Sequence, residues 1–153
     1  MERPSLLATD MYKMVMAQAG YPLRRETSVF ALRKGGPWIM PVDPVAFVRG
    51  LVSDLQRDHL GSRDTLSGMH AAYWEALTGE VEVVGAWFSD RVPALTITGP
   101  SALVSNLEAR LIGELQFRIQ VATLARLAPQ TLADRVGVVT CEVERAIVLE
   151  TLE

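Results

Sequence analysis

Side chains able to do chemistry are few in this sequence, and their spacing forms no familiar catalytic set. The single cysteine, Cys141, cannot form an internal disulfide and has no cysteine or histidine at the spacing of a zinc site. His59 lies at a polar helix end and His70 on a mixed face of a predicted helix, where surface or hydrogen-bonded, partly buried roles are usual. The Gly35-Gly36 pair lacks the further glycines or lysine of a phosphate-binding loop and predicts a turn. The sequence therefore indicates neither an activated nucleophile nor a metal centre.

Positive charge is concentrated in a small basic cluster at Arg24, Arg25, Arg33 and Lys34. The chain as a whole has a formal net charge of −3 and no run of five like charges, so a nucleic-acid or anionic-membrane surface is not predicted. Its 153 residues, 49% of them apolar, suffice for one domain with a buried core. Charged residues interrupt every long apolar stretch, which argues against a membrane span or a signal peptide and predicts a cytoplasmic location.

Helices and strands predicted from periodicity must position these residues. A helix is predicted from a Thr9 or Asp10 cap to Ala19, with Tyr12 in its first turn. A strand over residues 26–33 follows, which places Arg33-Lys34 at its carboxyl end. The remaining elements are predicted in this order: helices Val45–Leu55 and Asp64–Leu77, strands Val81–Trp87 and Val92–Thr98, a helical run Ala102–Ala128, a strand Val136–Thr140 and a helix Glu142–Leu152.

Glycine, proline and serine predict where several of these elements begin and end. Gly99-Pro100 is expected to close the second strand of the pair, and Ser101 is expected to cap the helix that follows. The long helical run is expected to break near Gly113 or Phe117 and to end at Pro129. Strand pairs and helices without regular β-α-β alternation predict a single α+β domain over residues 1–153, with a mixed or antiparallel sheet and packed helices.

Four segments, in order, resemble the amino-terminal domain of nicotinate and nicotinamide phosphoribosyltransferases. They are Ser5–Lys13 (SLLATDMYK), Val29–Lys34 (VFALRK), Val81–Pro100, and Leu107–Phe117 with Val121–Thr123. Each segment is short, but four in register indicate the family more strongly than any one of them. The resemblance implies that family's amino-terminal fold over about residues 5–128, with a divergent tail at 129–153.

The resemblance also implies roles for four side chains. In the family, the tyrosine of the Thr-Asp-x-Tyr motif reaches the neighbouring subunit's active site and stacks on the pyridine ring. The resemblance implies that role for Tyr12. Asp10 is implied at the same intersubunit site. Arg33, with Lys34 as a second contact, is implied to bind the phosphates of phosphoribosyl pyrophosphate. Judged by residue type alone, Tyr12 also fits a core stripe with Met11 and Val15, Asp10 a helix cap, and Arg33 a solvated strand end.

In this family most catalytic and phosphate-binding residues lie in an α/β barrel that follows the amino-terminal domain. The nicotinate enzymes couple ATP hydrolysis to synthesis through a histidine in that barrel, and neither His59 nor His70 matches its motif. Residues 129–153 do not resemble the barrel. The resemblance therefore implies no catalytic residue, metal site or cofactor in this chain alone, with Mg²⁺ belonging to a complete enzyme and ATP use left open.

Two hypotheses from different classes follow. The first is an amino-terminal subunit that offers Asp10, Tyr12, Arg33 and Lys34 to a composite site, formed with a barrel chain, a pyridine base and phosphoribosyl pyrophosphate. The second is a non-catalytic dimerisation module or ligand sensor derived from the same domain. The choice of nicotinate or nicotinamide, the formation of a homodimer, and whether the chain is a piece of a longer enzyme stay open at this point.

Overall fold

The computed structural model describes residues 11–32, 36–62, 68–85, 93–136 and 142–152, which form helices around a small sheet. Within these ranges no helix is long and apolar enough to cross a lipid bilayer. The strands are β1 (Arg25–Ala31), β2 (Glu82–Gly85) and β3 (Pro93–Pro100). The helices are α1 (Met11–Ala19), α2 (Pro44–Ser62), α3 (Ala71–Leu77), α4 (Ser101–Arg110), α5 (Phe117–Leu127), α6 (Pro129–Val136) and α7 (Glu142–Leu152), and a π-helical segment (Leu111–Gln116) joins α4 to α5. The prediction of an α+β protein is confirmed.

The sheet is antiparallel, in the order β1-β3-β2. In the central strand, Ile97 pairs with Ser28 of β1 on one side and with Val83 of β2 on the other. Because alternate side chains of a strand point to opposite faces, Phe30, Ile97 and Val83 share one face, and all three are buried. This inner face and the helices α2, α3 and α4 enclose the main core.

The long helical rod from α4 to α5 contains a π-helical segment that keeps one apolar row buried. Leu103, Leu107, Leu111, Leu115 and Ile119 recur every fourth residue, and all five are buried. In a regular α-helix, a step of four residues turns about 40° beyond a full turn, so such a row would soon rotate away from the core. The wider i→i+5 turn of the π segment offsets this drift, and it lies where the sequence predicts a break near Gly113.

Two helices in the first half differ from their predicted boundaries. Helix α2 continues to Ser62 instead of ending at Leu55, and it begins at Pro44 with Asp43 as its cap: Asp43 Oδ1 accepts a 2.9 Å bond from the Val45 N–H. Helix α3 begins only at Ala71, not at Asp64, since the chain turns at Gly68 before the helix starts. Residues 63–67 lie outside the described ranges.

Predictions at the ends of β3 and α6 are corrected as well. Gly99-Pro100 does not close the strand but belongs to β3, because the pairing with β1 continues to the pair Arg25 and Pro100. Ser101 is not a side-chain cap. Its backbone N–H instead donates a 2.7 Å bond to the Arg24 carbonyl, and α4 follows β3 directly. Val136, expected to start a strand, ends α6, and residues 137–140 are not described.

The helices beyond Pro129 form a second, smaller apolar cluster on α5. Val121, Leu132 and Val148 are buried together, one each from α5, α6 and α7. Arg118 Nη2 donates a 2.6 Å hydrogen bond to Glu150 Oε2 and so links α5 to α7. The carboxyl-terminal helices therefore pack against the rod instead of against the sheet.

Candidate functional site

Of the four side chains with implied roles, the structure describes Tyr12. It lies in the first turn of α1, and its side chain is 53% exposed. Asp10, Arg33 and Lys34 lie outside the described residues, so their roles stay predictions. The structure therefore locates the proposed base-stacking side chain on the surface of the domain.

Helix α1 is attached to the core through Met14, which is 1% exposed. Tyr12, Val15 and Met16 are 53%, 60% and 64% exposed, respectively. Since residues three and four apart share a helix face, these three side chains form one apolar surface, here called the α1 patch. The alternative in which Tyr12 belongs to a buried stripe with Val15 is therefore wrong.

Lys13 connects Tyr12 to the rest of the fold. Its Nζ lies 5.2 Å from the centroid of the Tyr12 ring, within the range of a cation–π contact. The same ammonium group forms an ion pair with Glu108 of α4. The hydrogen bond to Glu108 raises the pKa of Lys13, partly opposed by burial and assisted by Tyr12. Lys13 is thus a cation at neutral pH, and it joins the first turn of α1 to α4.

A cleft of about 780 Å³ opens beside Lys13, between β1 and the helical rod. We call it the β1 cleft. Its strand side consists of residues 28–32 with Glu26, and its helix side includes Ser105, Glu108 and Ile112. The volume lies within the range of roughly 300–1,000 Å³ that is typical of small-molecule pockets. Tyr12 is not among the residues that line this cleft, although its neighbour Lys13 is.

The π-helical segment forms part of the cleft wall. Leu111, Ile112 and Gln116 of this segment line the cleft. Its position is fixed by Arg110, whose Nε donates a 2.9 Å bond to Glu114 Oε1 and whose Nη2 lies 3.7 Å from Asp54 Oδ2 of α2. Because π-helical turns are frequent at functional sites, this segment makes the β1 cleft a candidate binding surface.

Trp38 also lines the cleft, and its indole N–H is a buried hydrogen-bond donor. Its Nε1 is enclosed by protein and has no acceptor among the residues that the structure describes. The neighbouring Ile39 N–H donates a 2.9 Å bond to Thr123 Oγ1, which holds this loop against α5.

The charges around the cleft do not favour a phosphate group. Lys13 supplies one positive charge that Glu108 already pairs, and Glu26 adds a second carboxylate without an ion-pair partner in the described ranges. Counted over the described lining residues alone, a phosphate group would face net negative charge there. In the same ranges no three histidine, cysteine or acidic side chains are grouped as metal ligands.

Sequence reasoning missed the β1 cleft because its walls come from distant parts of the chain. Lys13 and Glu108 are 95 residues apart, and no local motif relates them. The row of leucines at four-residue steps was the one available signal, because it requires the π segment that forms a wall of the cleft.

Comparison of the chain with protein-family models, with curated proteins and with solved structures finds no match.

Proposed function

We propose that this chain is the amino-terminal domain of a nicotinate phosphoribosyltransferase, which completes its active site with a separate barrel chain. Tyr12 is the residue that stacks on the pyridine base. The observation that supports this proposal is the exposure of Tyr12 on a helix that is otherwise anchored by Met14. A tyrosine used only for packing would have its ring in the core, whereas this ring is available to a second molecule.

The local geometry suits a stacking role. The Lys13 ammonium group lies 5.2 Å from the centroid of the Tyr12 ring and forms an ion pair with Glu108 of α4. The Tyr12 ring therefore contacts a side chain that is itself bound to the rest of the fold. A planar heteroaromatic ring stacked on tyrosine gains roughly 0.5–1.5 kcal/mol beyond the burial of its area. This amount influences the affinity for the base but cannot by itself catalyse transfer.

The exposed α1 patch supports the proposal that a partner chain binds this domain. Tyr12, Val15 and Met16 expose apolar side chains on one helix face, and Tyr21 and Leu23 of the following turn are exposed as well. Apolar side chains grouped in this way mark surfaces at which another protein binds. We assign the α1 patch to the contact with the barrel chain, so that the partner covers Val15 and Met16 while the pyridine base lies against Tyr12.

The proposal divides the chemistry between two chains. The base and pyrophosphate exchange at the anomeric carbon of the ribose, and this step depends on positioning and on stabilised charge. Asp10 is proposed near the base, and Arg33 and Lys34 are proposed to bind phosphate oxygens. The barrel chain would hold Mg²⁺ and most of the pyrophosphate, and ATP where the reaction uses it.

Co-purification and turnover test this proposal. The chain is mixed with a candidate barrel chain, and the complex is isolated and assayed for nicotinate-dependent consumption of phosphoribosyl pyrophosphate. The proposal expects a stable complex that turns over, while either chain alone does not. A complex without turnover, or no complex, would contradict it, and tight pyridine binding by the isolated chain would favour a ligand sensor instead.

A further inference from the structure

Among the described residues β1 is an edge strand, and the pairing register shows which of its backbone groups do not bond to β3. In an antiparallel pair, hydrogen-bonded and non-hydrogen-bonded residue pairs alternate. Arg25 is opposite Pro100, which has no N–H, so this pair is non-hydrogen-bonded. Counting along the register, Thr27 and Val29 are also in non-hydrogen-bonded pairs, and their N–H and C=O groups point away from β3. The 2.9 Å contact between the hydroxyl groups of Thr27 and Thr98 agrees with this assignment, because side chains are closest in such pairs.

The opposite edge of the sheet is shorter. β2 has four residues against seven in β1. At Gly85 a Cβ atom would lie 2.8 Å from the Val45 side chain, so α2 packs closely on the inner face of the sheet at the end of β2. β1 has no proline between Arg25 and Ala31, and Val29 is 58% exposed. Free edges usually carry short strands, proline or a covering element, and β1 has neither a proline nor a covering strand among the described residues.

The β1 cleft lies between this strand and the rod, and five of the seven residues of β1 line it. One wall is the edge of β1, and the other is the rod face that carries Ser105, Glu108 and Ile112. Phe30 and Leu111 also line the cleft and provide apolar surface in its interior. A strand placed along β1 would pair with the free groups of Thr27 and Val29. Every second side chain of that strand would then point into the groove.

Charge further defines the occupant. Glu26 is on the inner face of β1 at the cleft, and the described ranges contain no ion-pair partner for it. Glu108 is already paired with Lys13. A basic side chain at an inward position would therefore meet an unpaired carboxylate, whereas an acidic one would be repelled.

We propose that the β1 cleft binds an extended segment of a partner protein, which adds to β1 as a fourth strand with alternate apolar side chains in the cleft and a lysine or arginine beside Glu26. This goes beyond the proposed pyridine chemistry, because it involves a different surface from Tyr12 and holds whether or not the partner is a barrel enzyme. The fold supplies the backbone pairing, and the cleft supplies the preference for alternation and for positive charge.

Selection from a peptide library tests the proposal and requires no identified partner. The immobilised chain is used to select from a display library of random peptides as long as β1. We expect enriched peptides with apolar residues at every second position and a basic residue among them. Resynthesis with N-methyl groups at one set of alternate positions should weaken binding at least about tenfold, and methylation of the other set should change it by less than about twofold.

Amide hydrogen exchange gives an internal control in the same protein. Ser28 and Phe30 pair with β3, so their amides should exchange slowly with and without peptide. The amides of Thr27 and Val29 should exchange rapidly in the free chain and become protected when a selected peptide binds. Val29→Pro removes an edge donor without breaking a bond to β3 and should abolish this binding, whereas Val29→Thr should retain it.

Three results would overturn the proposal. The first is a failure of the library to yield any binder, and the second is selected peptides whose binding responds equally to both methylation patterns. The third is protection of the Thr27 and Val29 amides in the free chain, since the edge would then already be occupied. The thermal unfolding of Val29→Pro is measured alongside, and Glu26→Gln, which leaves the strand intact, should reduce the preference for basic peptides if the proline variant is unstable.

Discussion

Replacement of Arg110 by methionine tests how the π segment is held against α2. The Arg110 side chain is 5% exposed, and its carboxylate neighbours Asp54 and Glu114 are 18% and 19% exposed. Methionine has a similar length and no charge, so the variant leaves two carboxylates near one another at the start of the segment. Because that segment forms a wall of the β1 cleft, the substitution should loosen the cleft as well as the fold.

The size of the effect follows from burial. Removal of one partner of a fully buried ion pair costs roughly 3–5 kcal/mol. Here the two carboxylates keep partial contact with water, and Asp54 Oδ1 still accepts a 2.6 Å bond from Arg57. The wild-type guanidinium also has Nη1 and Nη2 atoms without hydrogen-bond partners in the described ranges, so part of its burial is already unfavourable. We therefore expect a loss of about 2 kcal/mol in the free energy of unfolding.

Urea denaturation followed by circular dichroism measures this loss. An unchanged slope of the unfolding free energy against urea concentration would show that the unfolded state is not altered. Arg57→Met is the matched control, because Arg57 binds the same carboxylate but is 72% exposed. It should cost less than about 1 kcal/mol. If Arg110→Met is as stable as the wild type, or if Arg57→Met is equally destabilised, the argument from burial is refuted.

Three further predictions concern single positions. Asp43→Ala removes the cap of α2 and should cost about 1 kcal/mol, while Asp43→Asn should retain most of the stability in the same urea titration. Gly79→Ala should destabilise by about 1–3 kcal/mol because the added Cβ would collide with the Pro100 ring, whereas Gly113→Ala, with no atom within 4 Å of the added Cβ, should be neutral or stabilising. Burial raises the pKa of Tyr73, partly opposed by its hydrogen bond from Asn106, so its contribution to stability is complete below the unfolded value of 10.0 and is lost as pH rises towards the folded value. Tyr73→Phe should reduce that alkaline loss of stability in thermal melts recorded across the range, and an unchanged pH dependence would contradict the assignment.

Turn residues and periodicity predicted those elements well whose form depends mainly on residues nearby in the sequence. The helix around Tyr12, the strand before Gly35 and the break near Gly113 all follow from turn residues and periodicity. The Gly99-Pro100 pair misled because pairing with β1 overrides the usual effect of these residues. Pro100 is tolerated since it lies beyond the paired part of β2, where no bond to that strand is lost.

The candidate site was less accessible to sequence reasoning. Met14 and Val15 are both apolar and adjacent, yet one is buried and the other is 60% exposed, and only the packing of α1 on α4 distinguishes them. The β1 cleft depends on contacts between α1, β1 and the rod, which no window of the sequence contains. Tyr12 could be identified from a sequence motif, but that its side chain is exposed could be seen only in the structure.

The KM for nicotinate of a reconstituted pair that carries Tyr12→Ala tests the central claim most directly. Tyr21→Ala is the control, because Tyr21 is 81% exposed and lies outside the Thr-Asp-x-Tyr motif that contains Tyr12. The loss of roughly 1 kcal/mol of stacking predicts that KM rises about fivefold for Tyr12→Ala and stays near the wild-type value for Tyr21→Ala. An unchanged KM for Tyr12→Ala in a pair that still assembles and turns over would contradict the assignment of Tyr12 to the pyridine base.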